Sequence, residues 1–115
     1  MKLQKLISKL EKHHKKKLDL SLGRTFNLLK KLGDPQDKLK NVITVVGTNA
    51  KASMCYSLKS ILNQGGYKTN LYTSPHLLSY TERYVFEDKE INEEDLIELL
   101  TDVGKTLADD NATLF

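Results

Sequence analysis

Apolar residues near the start of the chain recur at helical spacing. Leu3, Leu6, Ile7 and Leu10 fall three or four apart, which predicts an amphipathic helix over residues 2–13. The stretch HHKKK breaks the pattern. A second helix is expected over residues 22–32, with Leu22, Phe26, Leu29 and Leu32 facing inward. Gly33 is placed to end it, and Asp34-Pro35 prevents continuation.

The pattern then changes period. NVITVVG (41–47) is a β-branched run closed by a turn residue, the composition of a strand buried on both faces in a parallel sheet. SMCYSLKSILNQ (53–64) returns to helical spacing, with Met54, Leu58, Ile61 and Leu62 on one stripe and Gly65-Gly66 as the stop. YKTNLYTS (67–74) is a second strand candidate. Strand, loop, helix and strand in this order predict a right-handed βαβ unit. Asn92 can cap a last helix, whose first turn holds Glu93, Glu94 and Asp95. Leu96, Leu99, Leu100, Val103 and Leu107 would form its buried stripe. There is no internal repeat and no low-complexity linker, and the final NATLF reads as the opening of another element.

Composition fits one small globular domain. The chain has 115 residues, 39% hydrophobic and 29% charged, which argues against a disordered segment. No apolar run approaches the roughly 20 residues of a membrane span. Lysines interrupt the apolar residues of the N-terminus, so it makes a poor signal peptide. Cys55 is the only cysteine, which excludes an intrachain disulfide. A cytoplasmic monomer without nucleic-acid or membrane partners is expected.

The net charge of +3 hides an asymmetry: residues 1–17 carry seven lysines against Glu11, while residues 87–98 carry seven carboxylates against Lys89. The basic end could meet nucleic acid or an anionic ligand, or be a solvated helix face.

Chemistry concentrates at GTNAKAS (47–53). A strand that runs through a tight loop into a helix aims several backbone N–H groups at one point, and the helix dipole adds positive charge there. Lys51 in that loop could reach the outer phosphates of a nucleotide. The general phosphate-loop template G-x-x-x-x-G-K-[ST] nevertheless fails at every position but the lysine: Val45 and Ala50 stand at its glycines and Ala52 at its hydroxyl. An ordinary βα turn with Ser53 as helix cap and a solvated lysine fits the residues equally well. LYTSPHL (71–77) ends the next strand candidate, and ligands of open α/β sheets bind where such strand ends converge. That would set Ser74 and His76 beside Lys51.

GTNAKAS, TSPHL and TER (81–83), in that order, resemble the N-terminal part of the folylpolyglutamate synthase/dihydrofolate synthase family of the Mur ligase superfamily. The family's loop is typically G-T-N-G-K-G-[ST], in which the hydroxyl follows the lysine by two residues. LGRTFNLLKKLGDPQ (22–36), ILNQGGYKTNLYTSPHL (61–77) and TLF (113–115) look like further segments of it. The resemblance implies an α/β fold: part of a P-loop-type, Mur ligase central-domain-like parallel sheet with flanking helices, preceded by two N-terminal helices. Residues 1–115 would be the first portion of the ATP-binding domain, without the rest of that domain or the C-terminal domain.

The implied activity is ATP-dependent ligation of L-glutamate to dihydropteroate or folate through an acyl phosphate, with ATP and Mg²⁺ as cofactors. Gly47, Thr48, Asn49, Ala50, Lys51, Ala52 and Ser53 would cradle the triphosphate, with Lys51 the catalytic charge. Ser74 would bind Mg²⁺, and Pro75 and His76 would shape its loop. Lys15, Lys16, Lys17 and Thr113 would contact the pterin or folate. The family's loop glycines are alanines here; a left-handed conformation at either position would strain it. Two other readings are a non-catalytic basic binding module and a Mur-type ligase with a different acceptor.

Overall fold

The computed structural model describes residues 2–12 and 22–107. Lys15, Lys16, Lys17 and Thr113 lie outside them, as does the closing NATLF. Among the described residues there are four helices: α1 (Lys2–Lys12), α2 (Gly23–Lys31), α3 (Lys51–Gln64) and α4 (Glu93–Leu107). Three short strands accompany them: β1 (Asn70–Tyr72), β2 (Tyr84–Phe86) and β3 (Lys89–Glu90), with 3₁₀ turns at Pro35–Lys38 and Tyr80–Arg83. The chain divides into two compact units, residues 43–93 and the segments on either side of them.

The outer unit holds α1, α2 and α4. Leu3 and Leu10, two helical turns apart, are buried on α1, and Leu96 is buried on α4. A Cβ added at Gly104 would come within 3.1 Å of the Leu10 side chain, so these two helices pack closely at the glycine. The α4 stripe runs through Leu96, Leu100, Val103 and Leu107 as expected, but Leu99 faces out. On α2 the expectation fails more broadly. Leu22 and Phe26 are 65% and 58% exposed, and of the helix's apolar residues only Leu28 and Leu29 are half-buried. Gly33, at φ 84°, ends α2 in the left-handed conformation that glycine adopts without strain.

In the inner unit the expected parallel βαβ is replaced by an antiparallel sheet of order β1-β2-β3. Asn70, Leu71 and Tyr72 pair with Phe86, Val85 and Tyr84, and Val85 and Phe86 pair with Glu90 and Lys89. The β-branched run 41–47 forms no strand. A ladder needs a neighbour's N–H and C=O groups, and no described segment pairs with it; Val46 is 84% exposed.

Helix α3 packs against β1. It begins at Lys51, two residues earlier than expected, and ends at Gly65-Gly66, where Gly66 has φ 85°. A polar network ties it to the β2–β3 turn. Asp88 Oδ1 accepts from Lys59 Nζ at 3.1 Å and Asn63 Nδ2 at 2.9 Å, and Asn63 Oδ1 accepts from Thr69 Oγ1 at 2.5 Å.

Candidate functional site

Two loops of the inner unit carry the candidate residues. The first runs from Gly47 into α3, and all of its residues are exposed. Ala50 stands at the helix N-cap with φ 59° and ψ 16°, the left-handed conformation, and offers no side-chain cap. The first helical bond runs from Met54 N–H to Ala50 C=O at 3.0 Å. The amides of Lys51, Ala52 and Ser53 precede that bond and lack partners within the helix. Ser53 therefore sits in the first turn and is not the cap.

Lys51 folds back over this loop. Its Nζ donates to the Gly47 carbonyl at 2.7 Å and approaches the Thr48 carbonyl at 3.4 Å. A lysine at the positive end of a helix with no acid in its first turn concentrates positive charge there. The arrangement suits an anion: backbone amides without helical partners and an ammonium held over the same loop. A Cβ built on Gly47 would meet nothing closer than 3.8 Å, so the loop has room around its first residue.

The strain expected from the two alanines falls on one only. Ala50 adopts the left-handed conformation, at roughly 1–2 kcal/mol for a residue with a Cβ. Ala52 lies inside α3 and bears no such strain.

The second loop follows β1. Ser74 is exposed and is joined to Pro75 by a cis peptide bond. The residues on either side of this pair are held from one place. Thr73 N–H donates to the Arg83 carbonyl at 3.0 Å, and Arg83 Nε donates to His76 Nδ1 at 2.9 Å. That second bond requires the Nδ1 lone pair, so this nitrogen is unavailable to a metal. The His76 ring also lies 5.2 Å from that of Tyr80, over which the Arg83 guanidinium sits at 4.4 Å.

Glu82 fastens the rest of the loop. Its carboxylate accepts from the backbone N–H groups of Leu77 at 2.9 Å, Leu78 at 2.8 Å and Ser79 at 2.7 Å. These bonds hold its carboxyl below the ordinary value of 4.5, Leu77 N–H having the largest effect. Thr81, buried beneath the turn, donates to Glu90 and shares a 2.8 Å bond with the Ser79 hydroxyl.

TER thus acquires a structural role that motif reading did not assign it. The signal was present: Ser79 and Glu82 stand in the S-x-x-E spacing of a capping box, and both of its bonds form. Among the described residues no three His, Cys, Asp or Glu side chains group as a metal site.

Known proteins resemble the chain over most of its length. The dihydrofolate synthase/folylpolyglutamate synthase of Escherichia coli K12 is 42% identical over 87 residues, 76% of this chain and 20% of that protein. The bifunctional folylpolyglutamate synthase/dihydrofolate synthase of Yersinia pestis CO92 superposes with a TM-score of 0.86 at 31% identity, covering 96% of this chain and 27% of its own. This stretch of chain belongs to the folylpolyglutamate synthase/dihydrofolate synthase family. A structure of E. coli FolC in complex with DHPP and ADP matches over 93% of this chain, at 37% identity and a TM-score of 0.81. No family profile matches the chain. The chain spans about a fifth of the length of the curated relatives it matches. Its α/β fold is the folate-ligase fold over that span, with a small antiparallel sheet among the described residues. No described helix is long and apolar enough to cross a membrane.

Proposed function

We propose that this chain carries the phosphate-binding loop and one magnesium ligand of an enzyme that uses ATP to join L-glutamate to dihydropteroate or folate. The observation that carries the reading is Lys51, held 2.7 Å from the Gly47 carbonyl at the N-terminus of α3. The family relationship and the ADP- and DHPP-bound relative support it.

The residues present fit the groups the family implies. The amides of Lys51, Ala52 and Ser53 offer donors to phosphate oxygens, and the Lys51 ammonium can leave the carbonyls for the outer phosphates. Gly47, Thr48, Asn49 and Ala50 shape the cradle. Ser74 offers an exposed hydroxyl oxygen, the ligand type magnesium prefers. Few protein ligands suffice, because Mg²⁺ commonly takes its remaining oxygens from phosphates and water. Pro75 and His76 shape the Ser74 loop and do not bind the metal, in keeping with the engaged Nδ1 of His76. Lys15, Lys16, Lys17 and Thr113 are assigned to the pterin or folate from the resemblance alone.

Carboxylates are poor electrophiles at neutral pH. Transfer of the γ-phosphoryl group from ATP to the substrate carboxylate, with release of ADP, gives an acyl phosphate. The amino group of glutamate then attacks its carbonyl carbon; the C–O bond to phosphate breaks, and the amine proton is lost to solvent. The loop contributes positioning and neutralises charge on the transferring phosphoryl group. The remaining metal ligands and the adenine contacts belong to the parent enzyme, so this chain alone should be inactive.

The test is glutamate- and pteroate-dependent phosphate release by the full-length enzyme. Lys51→Ala is expected to lower turnover by on the order of 10²–10³, and Ser74→Ala to weaken it and its response to magnesium. Unchanged turnover in Lys51→Ala would refute the role of that lysine.

A further inference from the structure

Leu77 and Leu78 are 91% and 94% exposed. Neither leucine is buried, so polar contacts must hold the main chain where TSPHL turns toward the 3₁₀ turn. A capping box needs one bond from the Glu82 side chain, to Ser79 N–H. Glu82 makes two more, to Leu78 and Leu77, using both carboxylate oxygens and reaching back to within three residues of Ser74. Arg83 holds the near side: its carbonyl fixes Thr73 and its Nε fixes His76, one on each side of Ser74-Pro75.

We propose that Glu82 and Arg83 are positioning residues that together set the placement of the Ser74 hydroxyl for its cation, an inference that rests on reading Ser74 as a magnesium ligand. A single hydroxyl contributes little affinity unless its direction is fixed beforehand, and partners that orient a ligand are commonly worth 10–100-fold in metal affinity. Here the orientation is imposed through the main chain: Glu82 restrains the amides of residues 77–79, while Arg83 restrains Thr73 and the His76 ring. Neither side chain need touch the metal or the nucleotide.

Glu82→Gln and Arg83→Lys are tested in the full-length enzyme beside Ser74→Ala. Two quantities are read: hydrogen exchange at the amides of Leu77, Leu78 and Ser79, and the Mg²⁺ concentration that half-saturates phosphate release. Glu82→Gln is expected to lose protection at the three amides. Both variants should need about tenfold more magnesium, with the KM for ATP at saturating magnesium unchanged. A general packing defect would instead raise the KM for ATP and lower the melting temperature together.

A normal magnesium response in both variants, with Ser74→Ala impaired, overturns the bracing and leaves Ser74 as a ligand. A normal magnesium response in Ser74→Ala overturns the metal reading and the bracing with it. Retained amide protection in Glu82→Gln also overturns the proposal. If Glu82→Gln does not fold, Arg83→Lys, which removes the bond to His76 and the guanidinium stacking on Tyr80 but keeps the carbonyl bond to Thr73, decides by the magnesium response.

Discussion

The two loops of the inner unit are built in opposite ways. The loop at 47–53 is almost bare of side-chain support. Its shape comes from Gly47, from Ala50 in a left-handed conformation, and from the start of α3, and its one long side chain bonds only to the loop's own carbonyls. The loop at 74–79 is held from outside by Glu82 and Arg83. A site that presents backbone amides to an anion gains from small residues, because bulk would block the approach. A site that presents one hydroxyl needs that hydroxyl aimed, and aiming takes bonds from other side chains.

This contrast predicts different failures. The largest effect falls on Lys51→Ala: turnover of the full-length enzyme should drop by on the order of 10²–10³, while amide protection at Leu77–Ser79 stays as it was. Loss of protection there as well would show that the two loops are not independent.

Glu82→Ala comes next. It removes the acceptor for three amides in a segment with no buried leucine, so a protease that cuts beside leucine should nick the Leu77–Leu78 region several-fold faster than in the parent. Unaltered cleavage there would mean that the main chain keeps its shape unaided.

Acid should act on the second loop in the same direction. Glu82 has a folded-state value below its ordinary 4.5, lowered chiefly by Leu77 N–H and then by Ser79 and Leu78. A lowered carboxyl contributes stability that is present above the ordinary value and is lost as pH falls through the lower, folded one. The amide resonances of residues 77–79 should therefore titrate together with a midpoint below 4.5, and Glu82→Gln should abolish the step. A shared midpoint at or above 4.5 would contradict the three-amide arrangement.

How far the sequence revealed this differs between the parts. Helix α1 was legible because its buried residues, Leu3 and Leu10, share one face and answer to local periodicity. The ends of α2 and α3 were legible because Gly33 and Gly66 take left-handed conformations. The run 41–47 misled, since β-branched composition reports a preference for strand and a ladder is a property of the pair. The β2–β3 hairpin was hidden for the converse reason. Its two-residue connection is Glu87-Asp88, with Glu87 at φ 55°, and neither residue is glycine or asparagine. For the candidate site, motif reading picked out the loops of Lys51 and Ser74 from their own residues. It missed the bracing at Glu82 and Arg83, because hydrogen bonds across a loop follow from its folded path and leave only the S-x-x-E spacing as a trace.

The smallest expected effect is also the one that bears on the first loop's departure from its family. Ala50 occupies a position where the family's loop has glycine, and its φ of 59° shows why glycine suits it. The Cβ costs roughly 1–2 kcal/mol in this conformation. Glycine would remove that cost but lose more chain entropy on folding, about 0.5–1 kcal/mol. Ala50→Gly should therefore stabilise the full-length enzyme by no more than about 1.5 kcal/mol, seen as a higher urea midpoint at unchanged slope. Ala52→Gly should do the reverse, because Ala52 is helical and glycine weakens a helix by about 1 kcal/mol. If both substitutions destabilise equally, Ala50 is not left-handed in the folded enzyme, and the bare loop is less strained than its backbone indicates. If Ala50→Gly alone stabilises, the strain is real, and the alanine persists in a loop whose shape the remaining residues already impose.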